Sequence, residues 1–294
     1  MKIALVMSLY NESTLIEHTL DSILSNSKYE CDVYINLSGT RFFEKNIECI
    51  SDINEKNNKN YKINLFVLGN EVLNLPLIGN SVLTHQVYND LGYDIMVGGS
   101  PDYVLTDKNA FNEFIDKSLP YLENKYTISC VEHENSNVRS AFHIITKKCT
   151  EEVGYYDPNF VPTGLSDNDF HRRCLLVSNP GQDLEFYVAP ENDINASYGV
   201  SIVVPSCHMA YAAHGSLGID YTNFYLKNSL DRFNALYYYR KWGGLPGCAP
   251  GKLGTDTYIH PFNNPEIPLK ITIDHIGQGY SEHDRSDIRL ASII

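Results

Sequence analysis

An α/β fold built on a doubly wound, mostly parallel sheet is predicted by three observations. Nearly continuous apolar runs of strand length recur, at KIALVMSL (2–9), DVYINLS (32–38), INLFVLG (63–69) and YDIMVGG (93–99), as expected of strands covered on both faces. Helix-like segments alternate with them. Polar or glycine-rich stretches, SLYNE, NLSGT and GGSPD, follow the first, second and fourth runs, at the carboxyl ends where such sheets bind ligands.

Each element has its own pattern. STLIEHTLDSIL (13–24) sets Ile16, Leu20, Ile23 and Leu24 on one face at helical spacing. NEKNNKNYK (54–62) is low in complexity and reads as a solvated loop. NSVLTHQVYNDL (80–91) carries Leu83, Val87 and Leu91 as a second helical stripe. Beyond Pro120, YTISCVEH and RSAFHIIT read as two further strands. From about Ile219 the texture changes: YTNFYLKNSLDRFNALYYYRKW places Leu226, Leu230, Phe233 and Tyr237 on one stripe and stops at Gly243 and Gly244. The predicted organisation is one main domain, residues 1–218, with a C-terminal helical and irregular extension, 219–294, packed on it.

Charge and composition narrow the function. Lys and Arg number 23 against 36 Asp and Glu, a formal net charge of -13, which repels phosphate polymers and anionic membranes and makes nucleic acid a disfavoured partner. The start, MKIALVMSLYNE, meets polar residues too early for a secretory signal, and no run approaches a membrane span, so a cytoplasmic protein is expected. Seven scattered cysteines without a C-x-x-C pair suggest buried thiols rather than disulfides or zinc. No G-x-G-x-x-G follows the first strand, and GCAPGKL fails as a phosphate loop. Nicotinamide and ATP enzymes are disfavoured.

Four segments carry candidate chemistry, each beside a plainer structural alternative. In GLSDNDFHRRC (164–174), Ser166 as a helix cap would give Asp169 a place in a capping box and leave Asp167 unassigned. Residues two apart diverge on a helix, so the two carboxylates do not form an acid and base pair. The alternative is a solvated helix start with His171, Arg172 and Arg173 facing water. GSPD (99–102) is either an ordinary turn or a strand end presenting Asp102. His214, in AAHGSLG, is by its sequence a histidine at the end of a small-residue strand. ALYYYRKWGG is a packed helix face, or presents the ring of Tyr238 or Trp242 to a ligand.

Three pieces in order, LVMSLYNESTLIEHTLDSIL, YDIMVGGSPDYVL and VGYYDPNFVPTGLSDNDFHRR, resemble family 2 glycosyltransferases of the nucleotide-sugar-binding type A fold, over roughly residues 1–218. The resemblance implies a Rossmann-like mixed, mostly parallel sheet with helices on both faces, and a metal-dependent inverting transfer from a nucleoside-diphosphate sugar to the hydroxyl of a carbohydrate or other acceptor. It implies Asp167 as the catalytic base, with Asp169 next in line, and Ser8, Tyr10 and Asn36 at the nucleotide. Asp102 and His214 would hold a divalent cation, the imidazole favouring manganese over magnesium. A helix N-terminus favours the negative charge a proton acceptor needs. Three acidic positions of the pattern are replaced, by Asn36, Ser100 and Ser166. Two other classes stay open: a nucleotidyltransferase on a similar sheet, and a sugar-binding or scaffold protein without catalysis.

Overall fold

The computed structural model describes residues 1–9, 13–37, 43–56, 63–67, 75–132, 142–160, 166–178, 198–208, 235–242 and 268–277. The strands are β1 (Lys2–Leu9), β2 (Glu30–Leu37), β3 (Ile63–Val67), β4 (Ile95–Gly99), β5 (Tyr103–Leu105), β6 (Thr127–Val131), β7 (Phe142–Ile145), β8 (Gly199–Val203) and β9 (Ser206–His208). The helices are α1 (Ser13–Leu24), α2 (Phe43–Lys56), α3 (Leu75–His85), α4 (Ala110–Ser118), α5 (Lys147–Glu152), α6 (Ser166–Ser178), α7 (Ala235–Trp242) and α8 (Ile273–Gly277).

Seven strands form one sheet in the order β3-β2-β1-β4-β7-β6-β8. Only β7 runs against its neighbours; β1 pairs in parallel with both β2 and β4, and β6 with β8. The fold is therefore α/β with a mixed, mostly parallel sheet. β5 and β9 make a separate antiparallel pair.

Alternation along each strand divides the core between the two faces. Ile3, Leu5 and Met7 of β1 pack with Ile16 and Leu20 of α1, Ile50 of α2 and Phe111 and Phe114 of α4. Ala4 and Val6 pack on the other side with Leu83 of α3, Cys149 of α5 and Phe170 and Cys174 of α6. Helices cover both faces. From β1 the chain steps outward to β2 and β3, then returns to place β4 on β1's opposite flank, so the order reverses between the carboxyl ends of β1 and β4. That reversal opens a crevice.

The predicted helix over 80–91 begins earlier, at Leu75, and ends as a π-helical turn, Gln86–Asp90. α2 runs through Lys56 and takes in the first residues of the predicted loop. Of the predicted C-terminal helix, residues 235–242 are described and helical, and the stripe positions Leu226, Leu230 and Phe233 lie outside the described residues. No helix among the described residues is long and apolar enough to cross a membrane. Four of the six described cysteines are buried and all six are free, while Cys207 is exposed.

A C-terminal strap closes against the segment after α5. Ile271 pairs in parallel with Gly154, and the Tyr155 N–H donates to the Ile271 carbonyl at 2.9 Å. Gly154 holds φ +86°, and a Cβ there would stand 1.8 Å from the Ile271 oxygen. Gly154→Ala is expected to cost about 2 kcal/mol or more, from left-handed strain plus the displaced strap; a urea melt measures it.

Candidate active site

The carboxyl ends of β1 and β2 meet through side chains. Ser8 is the register partner of Asn36; the Asn36 amide donates to Ser8 Oγ at 3.3 Å, and Ser8 Oγ donates to Asn80 Oδ1 at 2.8 Å. Two of the three predicted nucleotide-binding residues thus form one polar chain. Its third member, Asn80 of α3, was not singled out from sequence, where it reads only as the first residue of a helical stripe. Tyr10 lies outside the described residues.

β4 ends in a tight turn over 100–103, closed by the Tyr103 N–H on the Ser100 carbonyl at 3.1 Å, with Pro101 at the position where its fixed φ suits such turns. The structural alternative for GSPD holds, and the turn also carries Asp102, 7% exposed. Ser100 Oγ donates to Asp102 Oδ1. Helix α1 pins the segment from below: Thr19 Oγ1 donates to the Pro101 carbonyl and the Leu105 N–H donates to Ser22 Oγ at 3.1 Å. Where the family pattern has its first carboxylate, Ser100 supplies a donor to the second.

Asp167 and Asp169 occupy the first turn of α6 and diverge. Asp167 is half-buried, its Oδ1 accepting from the Asn168 N–H at 3.0 Å. It precedes Phe170 by three residues and so shares that residue's sheet-facing side of the helix. Tyr156 stacks on Phe170 at 4.6 Å; burial first, and then the charge of Asp167, push its phenol well above the ordinary value. Cys174 Sγ lies 3.9 Å from Cys149 Sγ of α5, beside the amino ends of β6 and β8. Seven residues back along the helix, Asp167 is about 10 Å from that level.

Asp169 turns inward. Its Oδ2 accepts from Arg173 Nε at 2.8 Å, and its Oδ1 meets Lys241 Nζ at 2.8 Å and accepts from Trp242 Nε1 at 2.9 Å. Lys241 also donates to Asp157 Oδ2 at 2.6 Å, which accepts from Tyr237 as well. All four charged side chains, Asp157, Asp169, Arg173 and Lys241, are 0% exposed. Asp169 does have a structural task, but as the centre of this cluster rather than as part of a capping box. Arg173 does not face water: its guanidinium also donates to the carbonyls of Val153 and Tyr155. Arg172 stands over the Trp242 ring at 4.7 Å.

Tyr238 and Trp242, 2% and 1% exposed, pack with Phe160, leaving their rings little surface to offer an acceptor. His214 lies outside the described residues. Among the described residues no group of three or more His, Cys, Asp or Glu could hold a metal ion. Asp102 supplies a carboxylate at the carboxyl end of β4, a hard oxygen donor that fits a magnesium- or manganese-like cation taking its other ligands from substrate phosphates.

No family model matches the chain and no curated protein matches it. Among solved structures it is similar to the mannosyltransferase PcManGT from Pyrobaculum calidifontis in complex with GDP-Man and Mn2+, at 14% identity over 68% of this chain and 54% of that one, with a TM-score of 0.46. It is similar to S. aureus TarS 1-349 in complex with UDP-GlcNAc, at 11% identity over 71% of this chain and 61% of that one, TM-score 0.46. A cytidylyltransferase from Leptospira borgpetersenii is 15% identical over 69% of this chain and 76% of that one, TM-score 0.43. The chain spans 54% and 61% of the first two proteins. At these scores the function has to be argued from this chain's own residues.

Proposed function

We propose that the protein is a metal-dependent, inverting glycosyltransferase of the type A fold, moving a sugar from a nucleoside diphosphate to an acceptor hydroxyl. Residues 1–218 form its catalytic domain and 219–294 the extension packed on it. The observation that carries the reading is the series of polar groups along the carboxyl edge where the strand order reverses: Asn36 on β2, Ser8 on β1 and Asp102 after β4. A ligand with a polar head and a charged linker fits such a row.

In this reading Asn36, Ser8 and Tyr10 bind the nucleoside, and Asp102 and His214 would hold the cation. Bound there, a divalent cation supplies charge neutralisation for the departing diphosphate. Asp167 accepts the acceptor's O–H proton while the acceptor oxygen bonds to the anomeric carbon from the face opposite the leaving group. The anomeric C–O bond breaks, and the diphosphate leaves with its electron pair. Asp169, with both oxygens in ion pairs, is a poor alternative base. A nucleotidyltransferase would want basic residues after β1, and SLYNEST contains none. The free cysteines accord with a reducing, cytoplasmic setting.

The test is binding and turnover. UDP and GDP, with and without manganese, should raise the melting temperature, and a panel of their sugar conjugates should show manganese-stimulated hydrolysis or transfer. Binding without any turnover would favour the non-catalytic alternative. Asp102→Ala is expected to abolish the manganese-dependent part of the thermal shift and cut turnover about a hundredfold or more; an unchanged manganese titration removes Asp102 from the metal.

A further inference from the structure

The strand order places one more polar side chain close to this edge. Beyond β4 comes β7, where His143 is the register partner of Gly98 on one side and Ser129 on the other. Its strand neighbours Phe142 and Ile144 are fully buried on the α1 and α4 face, so alternation sends the imidazole to the face shared with Val6 and Met96. Register gives a continuous row across that face: Val6, Gly98, His143, Ser129 and Ser201. One row nearer the strands' amino ends the same face is apolar, through Ala4, Met96 and Ile145. Ile145 is buried while His143 is only half-buried, so along β7 this face turns polar and gains exposure towards the carboxyl edge, while Val6, Ser129 and Ser201 of the same row stay buried.

Gly98 makes room for the ring. A Cβ at that position would stand 2.9 Å from His143 Cε1 and 3.1 Å from Nε2; the imidazole sits against the strand that leads into the Asp102 turn. From Ser8, His143 is two strands across and two residues along, about 12 Å by sheet spacing. A molecule whose nucleoside rests on β2 and β1 and whose diphosphate sits at the end of β4 brings its next group over β7.

We infer that His143 binds the transferred sugar of the donor, its ring seated by Gly98 and one ring nitrogen hydrogen-bonded to a sugar hydroxyl. A neutral imidazole nitrogen either donates or accepts, and a hydroxyl can answer it in either role. The inference rests on the glycosyltransferase reading and sharpens it, dividing the site into a nucleotide half and a sugar half.

The experiment is isothermal titration in manganese of the wild type, His143→Ala and Gly98→Ala with UDP, UDP-GlcNAc, GDP and GDP-mannose, together with thermal melts. His143→Ala is expected to leave Kd for the bare nucleotide within twofold and to weaken the matching nucleotide sugar about tenfold, the value of one good hydrogen bond. Gly98→Ala keeps the imidazole but displaces it, and should weaken the nucleotide sugar in the same selective way by about threefold. It also covers the case in which His143→Ala fails to fold. Equal weakening of nucleotide and nucleotide sugar, or no change in either variant, overturns the assignment while leaving the glycosyltransferase reading intact. A wild type that binds none of the four probes overturns both.

Discussion

Asp167→Asn is expected to bind donor nucleotide as tightly as the wild type and to lose transfer by about a hundredfold to ten-thousandfold, the usual contribution of a positioned general base. The substitution is nearly isosteric, and the bond the carboxylate accepts from the Asn168 N–H at 3.0 Å can be kept by an amide oxygen. Melting temperature should move little, because Asp167 is half-buried and among the described residues no cation pairs with it within 4.0 Å. Stability, binding and turnover are therefore separable at this position. Asp169→Asn should behave in the opposite way: a lower melting temperature, with turnover falling only as far as the fold does. Near-wild-type transfer by Asp167→Asn would move the base to another residue.

The contrast between those two aspartates marks what the sequence could and could not reveal. β1 and β4 are legible as apolar runs buried on both faces, and α1 as a helical stripe whose Ile16, Leu20, Ile23 and Leu24 are all buried. α2 escaped because its apolar Ile47, Ile50 and Ile53 are diluted in a polar segment that runs into a low-complexity patch. β5 and β9 are three residues each, too short for any periodicity to register. Ser8 and Asn36 could be placed together only through the family resemblance; in the structure they are register partners near the ends of adjacent strands. Asn80 could not, since it joins them only through tertiary packing of α3. His143 is a single polar letter inside an apolar run, FHII, and only the register against Gly98 gives it meaning. Charged letters mislead most: Arg173, which faces water in the solvated-helix reading, is interior together with Lys241, each buried with its carboxylate partners. Lys241 is 84 residues from Asp157, and local patterns carry no information about such a pair.

Lys241→Met is expected to destabilise the protein by about 3–5 kcal/mol, the cost of removing one partner from a buried ion pair, which lowers the melting temperature by roughly 10 °C in a chain of this size. The reason is what remains. Asp157 and Asp169 would be left, fully buried, with Arg173 as the only cation of the cluster. A control shows why the ion pair's geometry alone does not set the cost. Lys117 and Glu113 are also 2.6 Å apart, but at 53% and 44% exposure, and Lys117→Met should cost about 0.5 kcal/mol or less. The pH dependence adds a second signature. Burial raises the Asp157 carboxyl, but the charge and hydrogen bond of Lys241 outweigh it and hold the group below the ordinary carboxylate value. A folded-state pKa below the unfolded one contributes stability above the unfolded value, about 3.9, that is lost as pH falls through the folded one. Without Lys241 burial prevails and the sign reverses: the carboxyl is raised, its protonated form is favoured in the fold, and stability is lost as pH rises. The gap between variant and wild type should therefore be widest at neutral pH and narrow towards pH 4 in urea melts. Asp157→Asn combined with Lys241→Met should recover part of the loss, because the buried negative charge goes with its partner. A gap independent of pH, or a double variant no better than the single one, would mean that packing around Trp242 and Phe160, rather than charge balance, holds α7 against α6.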